Sequence, residues 1–314
     1  MKSELQRAAE HWSKKEKPPA EVRPRWWQHR AICRHINRRV CGTDIDGAGA
    51  GLRRWVSSRI TGLPLASGVS IGCGNAVKEI NLIKAGIVDR FDLFEIAEER
   101  VKQGTLNAQQ AGLEGRIQYH SHSPFAEAAE ERYDLVYWDN SLHHMLDVRE
   151  ALQYSRDVLK PGGYLVMDDF VGPSRFQWTD RNLEIATQVR QSLPARFLKG
   201  WRSEEVIPAE VRRPSAEKLI ADDPTEAADS DRIIPELQRI FPEVELKLTG
   251  GAVYHLALND VLANFTDDDL PLMKLLLLVD DMASDLGENH YAAAIAQKPS
   301  SSVAARDRDQ DQSV

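Results

Sequence analysis

A chain of 314 residues, 42% hydrophobic and 28% charged, can bury a sizeable core without disulfide staples. Its net charge of -8 excludes the broad basic face of a nucleic-acid-binding protein. Cys33, Cys41 and Cys73 stand at no metal-ligand spacing, which points to reduced thiols and a cytoplasmic location.

The N-terminal MKSELQRAAEHWSKK lacks the apolar core of a signal peptide. Residues 1–60 read as a helical cap. Leu5, Ala8, Ala9 and Trp12 recur at helical spacing, and a second helix is expected around 27–36. Alternating glycines from Gly47 to Gly51 make a joint before a helix over 52–60. From residue 61 a new pattern begins. Short apolar strands over 69–71, 91–96, 117–120, 133–138 and 164–167 alternate with helices over 77–85, 97–111 and 148–159. Lys160-Pro161-Gly162-Gly163 is expected to stop the last of these. That alternation specifies an α/β, Rossmann-like parallel sheet covered on both faces, in a domain spanning 61–298.

After Asp169 the rhythm breaks. Residues 171–230 read as an acceptor-pocket insertion with one helix over 180–193 and an irregular remainder. A helix over 231–240, a strand over 244–248, a helix over 270–286 and a strand over 290–297 follow. The run 275–279 reads as an interface or core helix; with Pro271 and Lys274 beside it, the apolar stretch is too short to span a bilayer. Residues 299–314, almost without apolar side chains, are expected to be disordered.

The chemistry begins at Gly72-Cys73-Gly74, between the first strand and its helix. Glycines there let the backbone turn sharply and approach a ligand closely. Glu95 ends the second strand, where a carboxylate can accept both hydroxyl hydrogens of a ribose. Downstream stand Tyr133-Asp134-Leu135-Val136, Leu142-His143-His144 and Leu159-Lys160-Pro161-Gly162-Gly163. In this order, over roughly residues 67–170, the chain resembles the class I S-adenosylmethionine-dependent methyltransferases, especially the small-molecule group that includes ubiquinone-pathway enzymes. The resemblance implies a seven-stranded sheet with an antiparallel last strand. It also implies S-adenosyl-L-methionine as cofactor, met by Gly72, Cys73, Gly74, Glu95, Ile96, His122, Asp139 and Asn140. Three departures stand out. Ser70 replaces the acid that often ends strand one, Ala76 replaces a third glycine, and Ser121-His122 occupy a stretch where an acid commonly meets the adenine. Glu79 either substitutes for the first acid or is satisfied by its helix dipole.

Asp139 and Asn140, at the carboxyl edge of the sheet, line the methionine end of the cofactor or start a helix. Methyl transfer from a sulfonium needs alignment, and a hydroxyl acceptor must also lose a proton. His143, His144 and Asp168 are the catalytic candidates; both histidines can equally be structural. The pair Asp168-Asp169 is placed to hold an acceptor amine, a hydroxyl or a cation. No third acid stands at metal spacing, so no metal is expected. Asp169, Arg175, Gln177 and Trp178 read as the acceptor wall and Trp27 as part of a lid, with packing as the alternative for the aromatics. His255 reads as structural. The expected activity is methyl transfer to a small molecule or saccharide, with no nucleic-acid or membrane partner and a homodimer left open. Two alternatives are a cofactor-binding enzyme with other chemistry and a cofactor-binding partner subunit without activity. A nicotinamide dehydrogenase fits the Lys160–Gly163 turn poorly.

Overall fold

A computed structural model describes residues 3–14, 22–126 and 128–300, so most of the expected disordered tail lies outside the described residues. Seven strands form one sheet: β1 (Gly68–Ile71), β2 (Phe91–Phe94), β3 (Ile117–His120), β4 (Tyr133–Asp139), β5 (Leu159–Phe170), β6 (Glu245–Gly251) and β7 (Asn289–Gln297). Their order is β3-β2-β1-β4-β5-β7-β6. The first five are parallel, and β7 runs antiparallel to both β5 and β6. β1 is buried along its whole length, as the apolar run of a strand covered on both faces should be.

Among the described residues ten α-helices surround the sheet: α1 (Glu4–Trp12), α2 (Arg30–Cys41), α3 (Ala50–Arg59), α4 (Val77–Lys84), α5 (Glu98–Gln110), α6 (Val148–Val158), α7 (Asp180–Ser192), α8 (Ala216–Asp222), α9 (Ile233–Ile240) and α10 (Leu270–Asp285). One core joins Val69, Val136 and Trp138 to Ala151 and Leu152 of α6 and Leu237 of α9. A second joins Leu93 and Leu135 to Trp55 of α3 and Ile80 and Ile83 of α4. Among the described residues no helix is long and apolar enough to cross a membrane.

The insertion after β5 is better ordered than its composition suggests. It builds a third core, in which Phe170, Trp178, Val189 and Phe197 meet Tyr254, Leu276, Leu277 and Tyr291. Trp26 and Ile32 belong to the same core, so residues before the sheet are packed into it. Three local features differ from expectation. Helix α6 stops at Val158, as expected, but the Lys160–Gly163 stretch is a bulge within β5 rather than a separate turn, between the pairings Tyr133↔Leu159 and Leu135↔Tyr164. Helix α8 forms in the irregular stretch, with the Ser215 hydroxyl accepting from the Lys218 N–H. After β6 comes a π-helical turn, Ala252–Ala257, whose entry is fixed by the Asp280 carboxylate accepting from the backbone N–H of Gly251 and Val253.

The order reverses between β1 and β4, so a crevice opens beyond their carboxyl ends. The residues that follow β1, β4 and β5 face that crevice.

Candidate functional site

The backbone at the end of β1 turns through left-handed conformations at Gly72 (φ 67°), Gly74 (φ 58°) and Ala76 (φ 59°). A side chain at Gly72 would press its Cβ to 3.0 Å from the Ser141 Cβ, so the turn must stay bare at that point. Ala76 keeps the conformation a glycine would take there, with the smallest Cβ-bearing side chain. Glu95 ties the turn down: its carboxylate accepts from the Gly74 N–H at 2.9 Å and from the Ala97 N–H at 2.8 Å. Those bonds use one lone pair of each oxygen and leave others for ribose hydroxyls. Burial raises the Glu95 pKa, opposed by these same N–H groups. Asn107 of α5 donates to the Asn75 carbonyl, and Tyr119 of β3 donates its hydroxyl hydrogen to the Gly74 carbonyl. Cys73 is driven well above the usual thiol range by burial and by the nearby carboxylates, so it packs as a neutral thiol. His122 meets Phe94 edge to face at 5.5 Å, while Ile96 is half-buried beyond Glu95.

Glu79 is 1% exposed and accepts the Ser70 hydroxyl hydrogen at 2.7 Å. Its second oxygen is buried without a partner, and burial pushes its pKa to about 7. Ser70 and Glu79 thus place together one carboxylate at the end of β1. An orphaned buried oxygen beside a bare glycine turn fits a polar ligand with an N–H group to offer, as S-adenosylmethionine has in its ammonium.

Asp139 and Asp168 are paired across β4 and β5. The Asp139 carboxylate is enclosed by the Lys78 ammonium at 2.6 Å, the Tyr137 hydroxyl at 2.5 Å and the Asn140 amide at 2.9 Å. Burial pulls Lys78 down, but Asp139 outweighs it and holds the ammonium above the usual lysine range. Asp168 is raised far above the ordinary carboxylate range, by burial first and then by the Asp139 charge. Lys78 and Tyr137 escaped the sequence reading, because a lysine in a first helical turn and a tyrosine in a strand carry no signal of their own.

Asp169 is fully buried and corrects an expectation: it is not available to an acceptor. One oxygen accepts from the Ser141 and Leu142 N–H groups, at 2.9 and 2.8 Å. The other accepts from the Phe170 N–H at 2.9 Å and from His143 Nδ1–H at 2.5 Å. An ionised carboxylate only accepts, so it fixes the His143 proton on Nδ1 and leaves the Nε2 lone pair outward. Burial alone would lower the His143 pKa, but Asp169 reverses the balance and raises it. Asp169 is lowered in return, since its ion pair and N–H donors outweigh burial.

The other histidine behaves differently. His144 is driven well below the usual imidazole range by burial and by His143. Its Nδ1 lies 3.2 Å from the Thr225 hydroxyl, which donates to Asp223 at 2.7 Å, and Trp12 of α1 meets its ring edge to face at 5.2 Å. Glu226 completes the group, 3.8 Å from His143 Nε2. Trp12, Thr225 and Glu226 were also missed, since they come from segments far apart in sequence.

The expected acceptor wall is partly core. Trp178 is 5% exposed and stacks on His290 at 4.6 Å and on Phe176 at 5.2 Å, so its ring is packing rather than pocket surface. Arg175 donates to the carbonyls of Pro224 at 2.7 Å and Glu226 at 3.1 Å, which makes it a holder of the Thr225–Glu226 segment. Arg175 and Phe176 both have positive φ, 55° and 52°, a strained pair where the chain enters this wall. Gln177 is exposed and donates to the Arg175 and Pro214 carbonyls. Trp27, 49% exposed, rests against the buried Trp26, while α1 supplies the ring over the histidines. His255 lies 3.3 Å from His290, with its pKa lowered by burial to about 4. A cavity of about 690 Å³ lies at the opposite end of β1, β2 and β3, between Arg90, Arg116 and Arg132; of the groups above only Tyr119 lines it.

Residues 69–215 match the family model described as a methyltransferase domain. The chain is 32% identical over 125 residues to 27-O-demethylrifamycin SV methyltransferase of Amycolatopsis mediterranei (strain S699), covering 37% of this chain and 44% of that one. It is 28% identical over 170 residues to hybrid PKS-NRPS synthetase phm1 of Pyrenochaetopsis sp, covering 51% and 4%. The chain thus spans less than half the length of these curated relatives. Its fold is similar to that of geranyl diphosphate C-methyltransferase from Streptomyces coelicolor A3(2), at a TM-score of 0.52 and 9% identity over 95% of this chain and 98% of that one.

Proposed function

We propose that the chain is a class I S-adenosylmethionine-dependent methyltransferase, a reading supported by the methyltransferase-domain match over residues 69–215, and that it methylates a hydroxyl oxygen of a small-molecule or saccharide acceptor. The observation that carries the reading is the 2.5 Å hydrogen bond from His143 Nδ1 to Asp169, which leaves Nε2 free to take a proton. S-adenosylmethionine, when bound, supplies an electrophilic methyl group on sulfur. Gly72 and Gly74 give the backbone room beside it, and Glu95 receives the ribose hydroxyls. Glu79, with its orphaned oxygen, receives the ammonium of the methionyl end. Asp139, locked by Lys78 and Tyr137, shapes the floor beyond β4. His143 Nε2 takes the hydroxyl proton of the acceptor, and Asp169 stabilises the imidazolium that results. The Trp12 ring over His144 helps exclude water from this side. A hydroxyl, weakly acidic and obliged to shed its proton as it is methylated, is an acceptor that such a base suits. The name of the rifamycin relative, an O-methyltransferase, points the same way.

The test is a mass-resolved screen of hydroxylated metabolites and glycosides with S-adenosylmethionine, run on wild type and His143→Asn. Wild type should yield products heavier by one methylene, and the variant should lose turnover by about 10²–10⁴-fold while cofactor affinity stays within twofold. Unchanged turnover in His143→Asn sinks the assignment of the base.

A further inference from the structure

His143, His144 and Glu226 each present one donor atom, and the three atoms lie within 4.8 Å of one another. They come from a short 3-10 turn after β4 and from the segment held by Arg175, so two independent elements converge. We infer that this triad is a binding site for one divalent transition-metal ion of the zinc class, and that occupancy of the site excludes proton acceptance by His143. The second clause rests on the function proposed above; the first does not.

Orientation is the main argument. Each imidazole has its Nδ1 engaged from behind, His143 by the Asp169 carboxylate and His144 by the Thr225 hydroxyl. Thr225 donates its own hydrogen to Asp223 at 2.7 Å, so it can only accept from His144 Nδ1–H. Both rings are therefore held in the tautomer with a lone pair on Nε2. A ring nitrogen backed by a carboxylate, directly or through one hydroxyl, is the arrangement that steadies histidine ligands and raises their basicity. The two rings pack against each other, 4.1 Å apart at 39°.

Spacing agrees. Donors around a tetrahedral zinc ion stand about 2.0–2.1 Å from the metal, hence roughly 3.4 Å from one another. The His143 Nε2 to Glu226 separation is 3.8 Å and all three donor atoms lie within 4.8 Å of one another, so the ligands would draw in by up to about 1 Å around a bound ion. Two imidazole nitrogens and a carboxylate gathered from one buried and two half-buried residues suit a cation placed between them. Two imidazoles with one carboxylate select zinc, cobalt or nickel over magnesium or calcium, which prefer oxygen donors. Three protein ligands leave a fourth position open. Because the metal bond consumes the Nε2 lone pair of His143, an ion and a transferred proton compete for the same electrons.

The experiment titrates the chelator-treated full chain with Zn2+ against a chromophoric competitor, and with Co2+ by visible absorption. One Zn2+ per chain is expected, with the intense d–d bands of four-coordinate Co2+. His144→Ala and Glu226→Gln should each weaken binding by at least about tenfold. In the methyl-transfer assay, Zn2+ should inhibit wild type and a chelator should restore it. Absence of stoichiometric binding, a six-coordinate Co2+ spectrum, or wild-type affinity in both variants overturns the site. Stimulation by Zn2+ overturns the competition. If no acceptor is ever methylated the proposed function fails, yet the Co2+ spectrum still decides the metal site.

Discussion

The crevice beside β1 and the histidine group beyond β4 are built by opposite means. The first is made of backbone: a left-handed turn, two carbonyls held by Asn107 and Tyr119, and a carboxylate that grips N–H groups. All its parts lie between residues 70 and 119. The second is made of side chains from four separate stretches, carrying Trp12, His143, Asp169 and the pair Thr225–Glu226. A backbone-built site depends on the course of its turn more than on side chains, and Ala76 keeps at φ 59° the conformation a glycine would take. A side-chain-built site depends on each bond that aims a ring.

The largest expected break in that comparison is Asp169→Asn. An amide donating to His143 Nδ1 forces the proton onto Nε2, so turnover should fall by about 10²–10⁴-fold with cofactor affinity unchanged. The pH profile separates this aiming role from plain structural damage. In wild type the rate should rise as His143 loses its proton, with a midpoint above the ordinary imidazole range because Asp169 favours the cation. Whatever activity remains in the variant should show its midpoint shifted to lower pH. An unmoved midpoint would mean that Asp169 does not set the base.

On the other side of the comparison, Glu95→Gln should weaken S-adenosylmethionine binding by about 10–100-fold, read by isothermal titration, and lower the thermal midpoint by several degrees, because the same carboxylate holds the Gly74 and Ala97 N–H groups. Replacing the carboxylate costs charge-assisted bonds to the turn and to the ribose, each worth about 1.5–3 kcal/mol. An unchanged affinity would remove Glu95 from the cofactor site and leave it as scaffold alone.

This contrast also explains what could be read from the sequence. Glycines between a strand and a helix, and an acid at the next strand's end, are local signals, because each acts through backbone within a few residues of itself. The sheet was legible for the same reason: strands covered on both faces are continuous apolar runs. His143 stood out beside His144, but its partner did not. Asp168 and Asp169 are adjacent in sequence and point to opposite sides of β5, so their roles diverge through register: Asp168 pairs with Asp139, while Asp169 turns inward to the Ser141–His143 backbone. Helix α8 and the loop bearing Glu226 were illegible, since their order comes from Arg175 reaching two carbonyls across the insertion. Trp178 misled because an aromatic in a loop looks like a pocket wall until the core behind it is seen.

The smallest expected effect sharpens the comparison where the two regions meet. Burial holds Glu79 at about 7, so near neutrality it is a mixture of acid and carboxylate. Only the carboxylate can pair with the cofactor's ammonium. Binding must therefore ionise it, and affinity in wild type should rise with pH up to about 7 and then level off. In Glu79→Gln that slope should flatten, with affinity at pH 8 weakened by about tenfold. His143 is intact in the variant, so the difference between the two profiles belongs to Glu79. Two parallel profiles would mean that the carboxylate serves only Ser70 and the helix N-terminus, and that the backbone turn alone holds the methionyl end.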